Sequence, residues 1–257
     1  MTPSTPSLWK SKAFASLLHL GLSLLVAAAV AGIVFGVWYP HEYSAMSGGR
    51  NLFVLMASVD VVMGPLLTLV VFNPAKPRTE LRRDLAIIGL LQLAALGYGM
   101  HTAFVARPVG LVFEVDRFKI VSANDVLLTE LPQALPDYQR LPWFGPRLMS
   151  ARESKPGDEK LRSVELSLQG YDVGQRPSYW QPYKQGQTRA AQRARPVQAL
   201  IDHAPTDKAQ IEARLQALGA PLATTRFLPI QSRKGDWVML LSAQGQPLGI
   251  LAANGFF

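Results

Sequence analysis

The 257-residue chain contains no cysteine. That absence excludes a disulfide framework, a thiolate nucleophile and a cysteine metal site, though it leaves the redox compartment open. Histidine is scarce as well: His19, His41, His101 and His203 are scattered, with no spacing that suits a metal ion. No serine stands in a nucleophile elbow, and no glycine-rich phosphate loop follows a strand. Paired carboxylates such as Asp158-Glu159 fall in the loop-like ESKPGDEK, where a solvated turn accounts for them. These absences lead to the expectation of a protein without enzymatic activity, cofactor or metal. Charged residues make up only 17% of the chain, and they are unevenly placed.

What the chain has instead is apolar length. Three runs, about 14–39, 52–72 and 85–106, each exceed the roughly 18 apolar residues that separate a membrane span from a buried core helix. The first would reach about 39 Å as a helix, enough to cross a hydrocarbon core with tilt. Residues 107–257 carry most of the charge and most of the 19 prolines. The expected organisation is a three-helix transmembrane domain at 1–106 and a soluble domain at 107–257. The first run also has features of a signal peptide, with Lys10 and Lys12 before it and AVA at 29–31. It continues through GIVFGVWY, which favours a retained span. Trp38, Tyr39 and Tyr43 follow it, where an aromatic belt would sit.

Lys and Arg in the short flanks set the orientation. Lys10 and Lys12 precede the first run, only Arg50 lies in the 40–51 loop, and Lys76, Arg78, Arg82 and Arg83 lie in the 73–84 loop. The N-terminus and the second loop are therefore expected to face the cytoplasm. The first loop and everything after Ala106 are expected outside, so the C-terminal part is expected to be extracytoplasmic. The net charge of +8 does not then point to nucleic acid, which that side of the membrane seldom meets. The lipid bilayer is the one partner that composition implies outright.

Asp60 stands near the middle of LFVLMASVDVVMGPLLTLVVF, where a charge costs about 2.5–3.5 kcal/mol on insertion scales. Two readings stand. In one, Asp60 docks its helix against its neighbours, with Gln92, His19 or Ser58 as partner. In the other, it is a functional group: a proton relay, an ion site or a contact to another protein's helix. The spans hold no second carboxylate and no Lys or Arg, which weighs against transport. Pro65 has no N–H for the carbonyl of Val61, so Gly64-Pro65 permits a kink. Gly32 with Gly36, and Gly97 with Gly99, would let helices approach closely.

The rest reads as a small α+β domain with a mainly antiparallel sheet. GLVFEVDRFKIVSAND, 110–125, alternates about Asp116-Arg117 like a hairpin. SVELSLQGYDV, 163–173, alternates like a strand. Arg189, Arg193 and Arg195 would line an exposed helix face. Tyr179, Trp180 and Tyr183 form either a partner-contact patch or core packing. Thr206 to Gly219 reads as an amphipathic helix with Thr206 as its N-cap. The tail reads as strands joined at Lys234-Gly235-Asp236 and Gln244-Gly245-Gln246.

FGVWYP at the end of the first run, SVDVVMGPLLTLVVFNPAKP through the second and RPVGLVFEVDRFKIVSAND after the third resemble the TfpX/TfpZ family of type IV pilin accessory proteins. The most specific piece is D-x-x-x-G-P-L-L-T, Asp60 to Thr68; PSYWQPY and the late strands fit more loosely. The resemblance implies an inner-membrane protein without enzymatic activity that stabilises or helps assemble a cognate pilin. Under that reading Asp60, Gly64 and Pro65, with Gln92 opposite, shape the helix bundle, and the periplasmic domain meets the pilin head. The alternative is a membrane-anchored ligand-binding sensor or complex subunit. Its cytoplasmic output would have to come from about a dozen N-terminal residues and the 73–84 loop. The sequence sets neither the oligomeric state nor which pilin is served.

Overall fold

The computed structural model describes residues 8–257. The chain divides into two compact units, one running to Val37 and resuming at Gly49–Val105, the other formed by Trp38–Gly48 and Ala106–Phe257.

Three helices of the first unit are long and apolar enough to cross a membrane: Leu8–Trp38, Gly49–Val71 and Arg78–Val105, of 31, 23 and 28 residues. All begin before their apolar runs. A helix satisfies its own backbone, and Lys or Arg at its ends can extend to the interface, so polar flanks such as Lys10 and Arg82 continue the helix. The first span is α1 (Leu8–Ile33) closed by a π turn, Val34–Trp38. The second is α3 (Gly49–Ser58), a π turn at Val59–Met63, then α4 (Gly64–Val71). The third is α5 (Arg78–Val105). α1 packs on α4, while α3 and α4 pack on α5. Leu17, Leu22, Leu25, Leu55, Val70, Leu90 and Leu93 stay exposed around them, as expected of helices whose solvent is lipid.

The second unit is a domain around one mixed sheet in the order β4-β3-β1-β2-β6-β7-β8, with β5 beside β6. β1 (Pro108–Glu114) and β2 (Arg117–Ser122) form the expected hairpin, with Glu114 opposite Arg117. β1 pairs in parallel with β3 (Arg147–Ala151), and β2 in parallel with β6 (Arg226–Gln231). The other pairings are antiparallel: β3 with β4 (Trp180–Pro182), β5 (Arg195–Pro196) with β6, β6 with β7 (Trp237–Leu241), and β7 with β8 (Pro247–Ala252). Gly235 and Gly245 take positive φ, +68° and +77°, in the turns flanking β7, as the sequence led one to expect.

Both faces of the sheet are covered, so β7 is apolar at every position rather than alternating. Met239 and Leu241 join Leu111, Phe113, Phe118 and Ile120 in one cluster, beneath α7 (Tyr183–Arg193). Val238 and Leu240 join Phe227 in another, beneath α8 (Gln198–His203) and α9 (Lys208–Ala217). Near the first cluster lies the segment Trp38–Gly48, with its short helix α2 (Tyr43–Met46). Met46 is fully buried within that cluster, and Tyr43 packs on it. The Met46 carbonyl accepts the Arg233 and Lys234 amides at 3.1 and 3.0 Å, and Glu42 pairs with Arg214 at 3.2 Å. Of the expected belt aromatics, Tyr39 is wholly buried and Tyr43 packs on this cluster, while Trp38 is half-buried. Burial pushes the Tyr39 and Tyr43 hydroxyls up to about 12.

Three local expectations are corrected. The stretch read as a strand from Ser163 belongs in its first half to α6 (Asp158–Leu168). Asp158 and Glu159 suit the positive end of a helix, and Leu161, Val164 and Leu168 repeat at helical spacing. Gly170, at φ +94°, ends the turn. Of the three arginines assigned to one helix face, Arg189 and Arg193 lie on α7, while Arg195 lies in β5. Thr206 lies within a 3-10 turn, Pro205–Asp207, and Asp207 takes the cap position of α9 without a side-chain cap bond.

Candidate functional site

The four intramembrane residues singled out in the sequence meet at one point. The π turn lengthens the hydrogen-bond step from four residues to five. The carbonyl that Pro65 leaves without a donor is then that of Asp60, not Val61 as an unbroken α-helix would have it. Gln92 on α5 supplies the missing donor: its Nε2 reaches the Asp60 carbonyl oxygen at 3.2 Å. Gly64 makes this possible, since a Cβ there would stand 2.1 Å from that same nitrogen.

The Asp60 side chain is placed differently from expectation. It is 6% exposed, and its Oδ1 is buried with no hydrogen-bond partner among the described residues. Gln92 serves the backbone instead, Ser58 turns to the Leu55 carbonyl at 2.8 Å, and His19 Nδ1 meets Thr68 Oγ1 at 2.6 Å. α1 adds two more polar ties to the same helix: Ser16 donates to the Pro65 carbonyl at 2.9 Å and Lys12 to that of Val70 at 3.2 Å. Ser16 and Thr68 were not singled out in the sequence. Thr68 closes the D-x-x-x-G-P-L-L-T stretch, which was the available signal. Gly99 touches Met56, while Gly32, Gly36 and Gly97 have open space beside them.

In the sheet domain, Tyr179, Trp180 and Tyr183 are core residues, 1%, 3% and 8% exposed. The Trp180 indole donates to the Gly174 carbonyl at 2.8 Å, and the Tyr183 hydroxyl to that of Gly245 at 2.6 Å. These rings therefore offer a partner almost no surface.

The surface feature is a cleft of about 850 Å³ between α6, α7 and the β1–β2 turn, lined in part by Val115, Arg152, Val164, Leu168, Arg189 and Arg193. Leu161, Val164 and Leu168 lie exposed along α6; the signal was their spacing, hidden by the period-2 reading. Val115, a β-branched residue, holds φ +39° at the hairpin tip, a conformation that costs about 1–3 kcal/mol. Glu114 lies beneath, accepting the Gly174 amide at 2.8 Å. Burial pushes its carboxyl up, and Lys119 and the Gly174 amide partly counter that. Arg152, 2.6 Å away, draws Glu159 down to about 2.

Fold and site together define a membrane protein of three apolar helices, carrying a mixed-sheet domain into which the first interhelical loop is built. The chain belongs to the fimbrial assembly protein family. It is 38% identical over 226 residues to the serogroup I fimbrial assembly protein of Dichelobacter nodosus, covering 87% of this chain and 88% of that protein. The serogroup E1 protein of the same organism matches at the same identity and coverage. The protein of serogroups C1 and C2 is 48% identical over 117 residues, 46% of this chain and 89% of its own length. Residues 7–48 match the family model described as fimbrial assembly protein FimB. No solved structure matches the chain.

Proposed function

We propose that the protein is a non-catalytic accessory factor of the TfpX/TfpZ kind, which stabilises or helps assemble a cognate type IV pilin. It would sit in the bacterial inner membrane with its N-terminus in the cytoplasm and its sheet domain in the periplasm. The observation that carries this reading is the 38% identity to fimbrial assembly proteins over 226 residues, a length that must include both spans and sheet domain. A subunit waiting in the same membrane, with one helix in lipid and its head outside, would meet both parts.

The two contacts have different chemistry. In the bundle, the knot of Asp60, Gly64, Pro65 and Gln92 holds the π turn of the second span, and so would shape the groove a pilin helix enters. In the sheet domain, the cleft beside α6 offers apolar side chains between arginine-bearing walls, the surface we assign to the pilin head.

The test is deletion of the gene, with pilin abundance and surface pili measured separately. Loss of both marks a stabilising role, and loss of surface pili at normal pilin abundance marks an assembly role. Unchanged values of both remove the proposal. Co-purification of pilin with the wild type and with Asp60→Leu then tests the bundle. Equal pilin recovery and equal piliation would take Asp60 out of the recognition.

A further inference from the structure

The loop joining the 3-10 turn at Pro136–Tyr138 to β3 carries an unusual pair: Trp143 and Phe144 are 66% and 78% exposed. Two tethers fix where this loop lies. The Arg107 side chain donates to the Pro142 carbonyl from Nε at 3.3 Å and from Nη2 at 3.1 Å, and Arg107 is itself buried. Arg107 is the second residue after the third span, which ends at Val105. On the other side, Gly145 holds its backbone against Pro40, whose Cγ stands 3.4 Å from where a Cβ would be. Pro40 is the second residue after the first span, which ends at Trp38.

Two residues of chain reach at most about 7 Å, and the headgroup layer is about 5–8 Å thick on each side. A loop held at residues two positions from both span ends is within reach of the headgroup layer. Its composition suits that level. Between Tyr138 and Arg152 there is no acidic residue, Arg140 and Arg147 flank the aromatic pair, and both arginines are exposed. Trp and neighbouring cations are what membrane–water interfaces select. Tyr39, which directly follows the first span, does not fill this role, since it is buried.

We propose that Trp143 and Phe144 form an interfacial anchor, inserted among the lipid headgroups of the bilayer that the chain spans. The anchor holds the sheet domain down at its β3 edge. The occupant we argue for is lipid, because Arg107 and Pro40, which hold the loop, are each only two residues along the chain from a span end.

Since the chain has no cysteine, Phe144→Cys gives a single attachment point for a spin label. The full-length protein is reconstituted in phosphatidylethanolamine–phosphatidylglycerol vesicles, with a Lys160→Cys label on α6 as the aqueous reference. The expected result is that the label at 144 collides with oxygen at least fivefold more, relative to an aqueous nickel chelate, than the label at 160. Equal ratios at the two positions would overturn the proposal. Protection from both oxygen and nickel would overturn it too, because the loop would then be packed on protein. Unlabelled protein supplies a second readout: brominated lipid should quench tryptophan emission more in the wild type than in Trp143→Phe. Equal quenching contradicts insertion.

Discussion

Met46 lies in what the sequence reads as a short connection between two spans, where truncation should matter little. The structure makes the opposite claim. Its side chain is 0% exposed inside the cluster of Leu111, Phe113, Phe118 and Leu228. Met→Ala in such a site costs about 2–5 kcal/mol, from lost transfer energy and the cavity left behind. For a domain of this size each kcal/mol moves the melting temperature by about 2–4 °C. Met46→Ala should therefore lower the melt of the sheet domain by roughly 4–20 °C. The assay is thermal unfolding of full-length protein in detergent, followed by the emission of Trp180 and Trp237. Ala45→Ser, at an exposed neighbour, is the control and should melt within about 0.5 kcal/mol of wild type. A Met46→Ala variant that melts with the control would refute the claim that this loop is part of the sheet domain's core. The same reasoning holds for residues 107–257 expressed alone. They lack Met46, its carbonyl acceptor and the Glu42 partner of Arg214, and should bind a hydrophobic dye where the full chain does not.

Gly64→Ala places a methyl group where the Gln92 amide now sits, so the bond to the Asp60 carbonyl should be lost. Interhelical bonds of this kind average about 0.6 kcal/mol, with a maximum near 1.7. In a double-mutant cycle, Gly64→Ala with Gln92→Ala should cost less than the sum of the singles, and strict additivity would disprove the coupling. Glu114 has a raised carboxyl pKa because it is buried. Its contribution is fully present below the usual value of 4.5, where it is protonated, and is lost as pH rises through the higher folded value. Glu114→Gln keeps an acceptor for Gly174 and should melt above wild type at pH 7, with the gain gone near pH 4. A variant no more stable than wild type at pH 7 would show that burial does not penalise this carboxylate.

The spans and the hairpin were legible because each rests on one local signal: apolar length for α1, α3–α4 and α5, and alternation about a two-residue turn for β1–β2. α6 was misread because Ser163–Leu168 satisfies period 2 and period 3.6 at once, and only the acidic first turn and Gly170 decide between them. Tyr179, Trp180 and Tyr183 look like a patch in one dimension; their burial depends on β3, α7 and the turn at Gly245, which lie up to some 60 positions away in sequence. Asp60, Gly64, Pro65 and Gln92 were found as residues, yet their roles were not. The π turn shifts the hydrogen-bond register by one, and that shift decides which carbonyl Gln92 serves, while Oδ1 of Asp60 is left buried with no hydrogen-bond partner among the described residues.

The insertion of Trp38–Gly48 into the sheet domain also constrains how the chain is threaded. A segment can join a core only on the same side of a membrane as the rest of that core. Between Gly48 and Ala106 lie two helices long enough to cross. Two crossings return the chain to its starting side, so the shared core and a three-span topology agree in parity; a chain in which only one of these two helices crossed would separate Met46 from Leu228. Cleavage of the first span would not disturb this parity, whereas failure of either later helix to insert would. The absence of cysteine makes the test direct. In right-side-out cells or spheroplasts, single cysteines at Ala45 and Lys160 should react equally with a membrane-impermeant maleimide. One at Ala75, in the loop between the second and third spans, should react only after the membrane is opened. Labelling of positions 45 and 160 from opposite sides would dismantle the shared core, and with it the stability argument built on Met46.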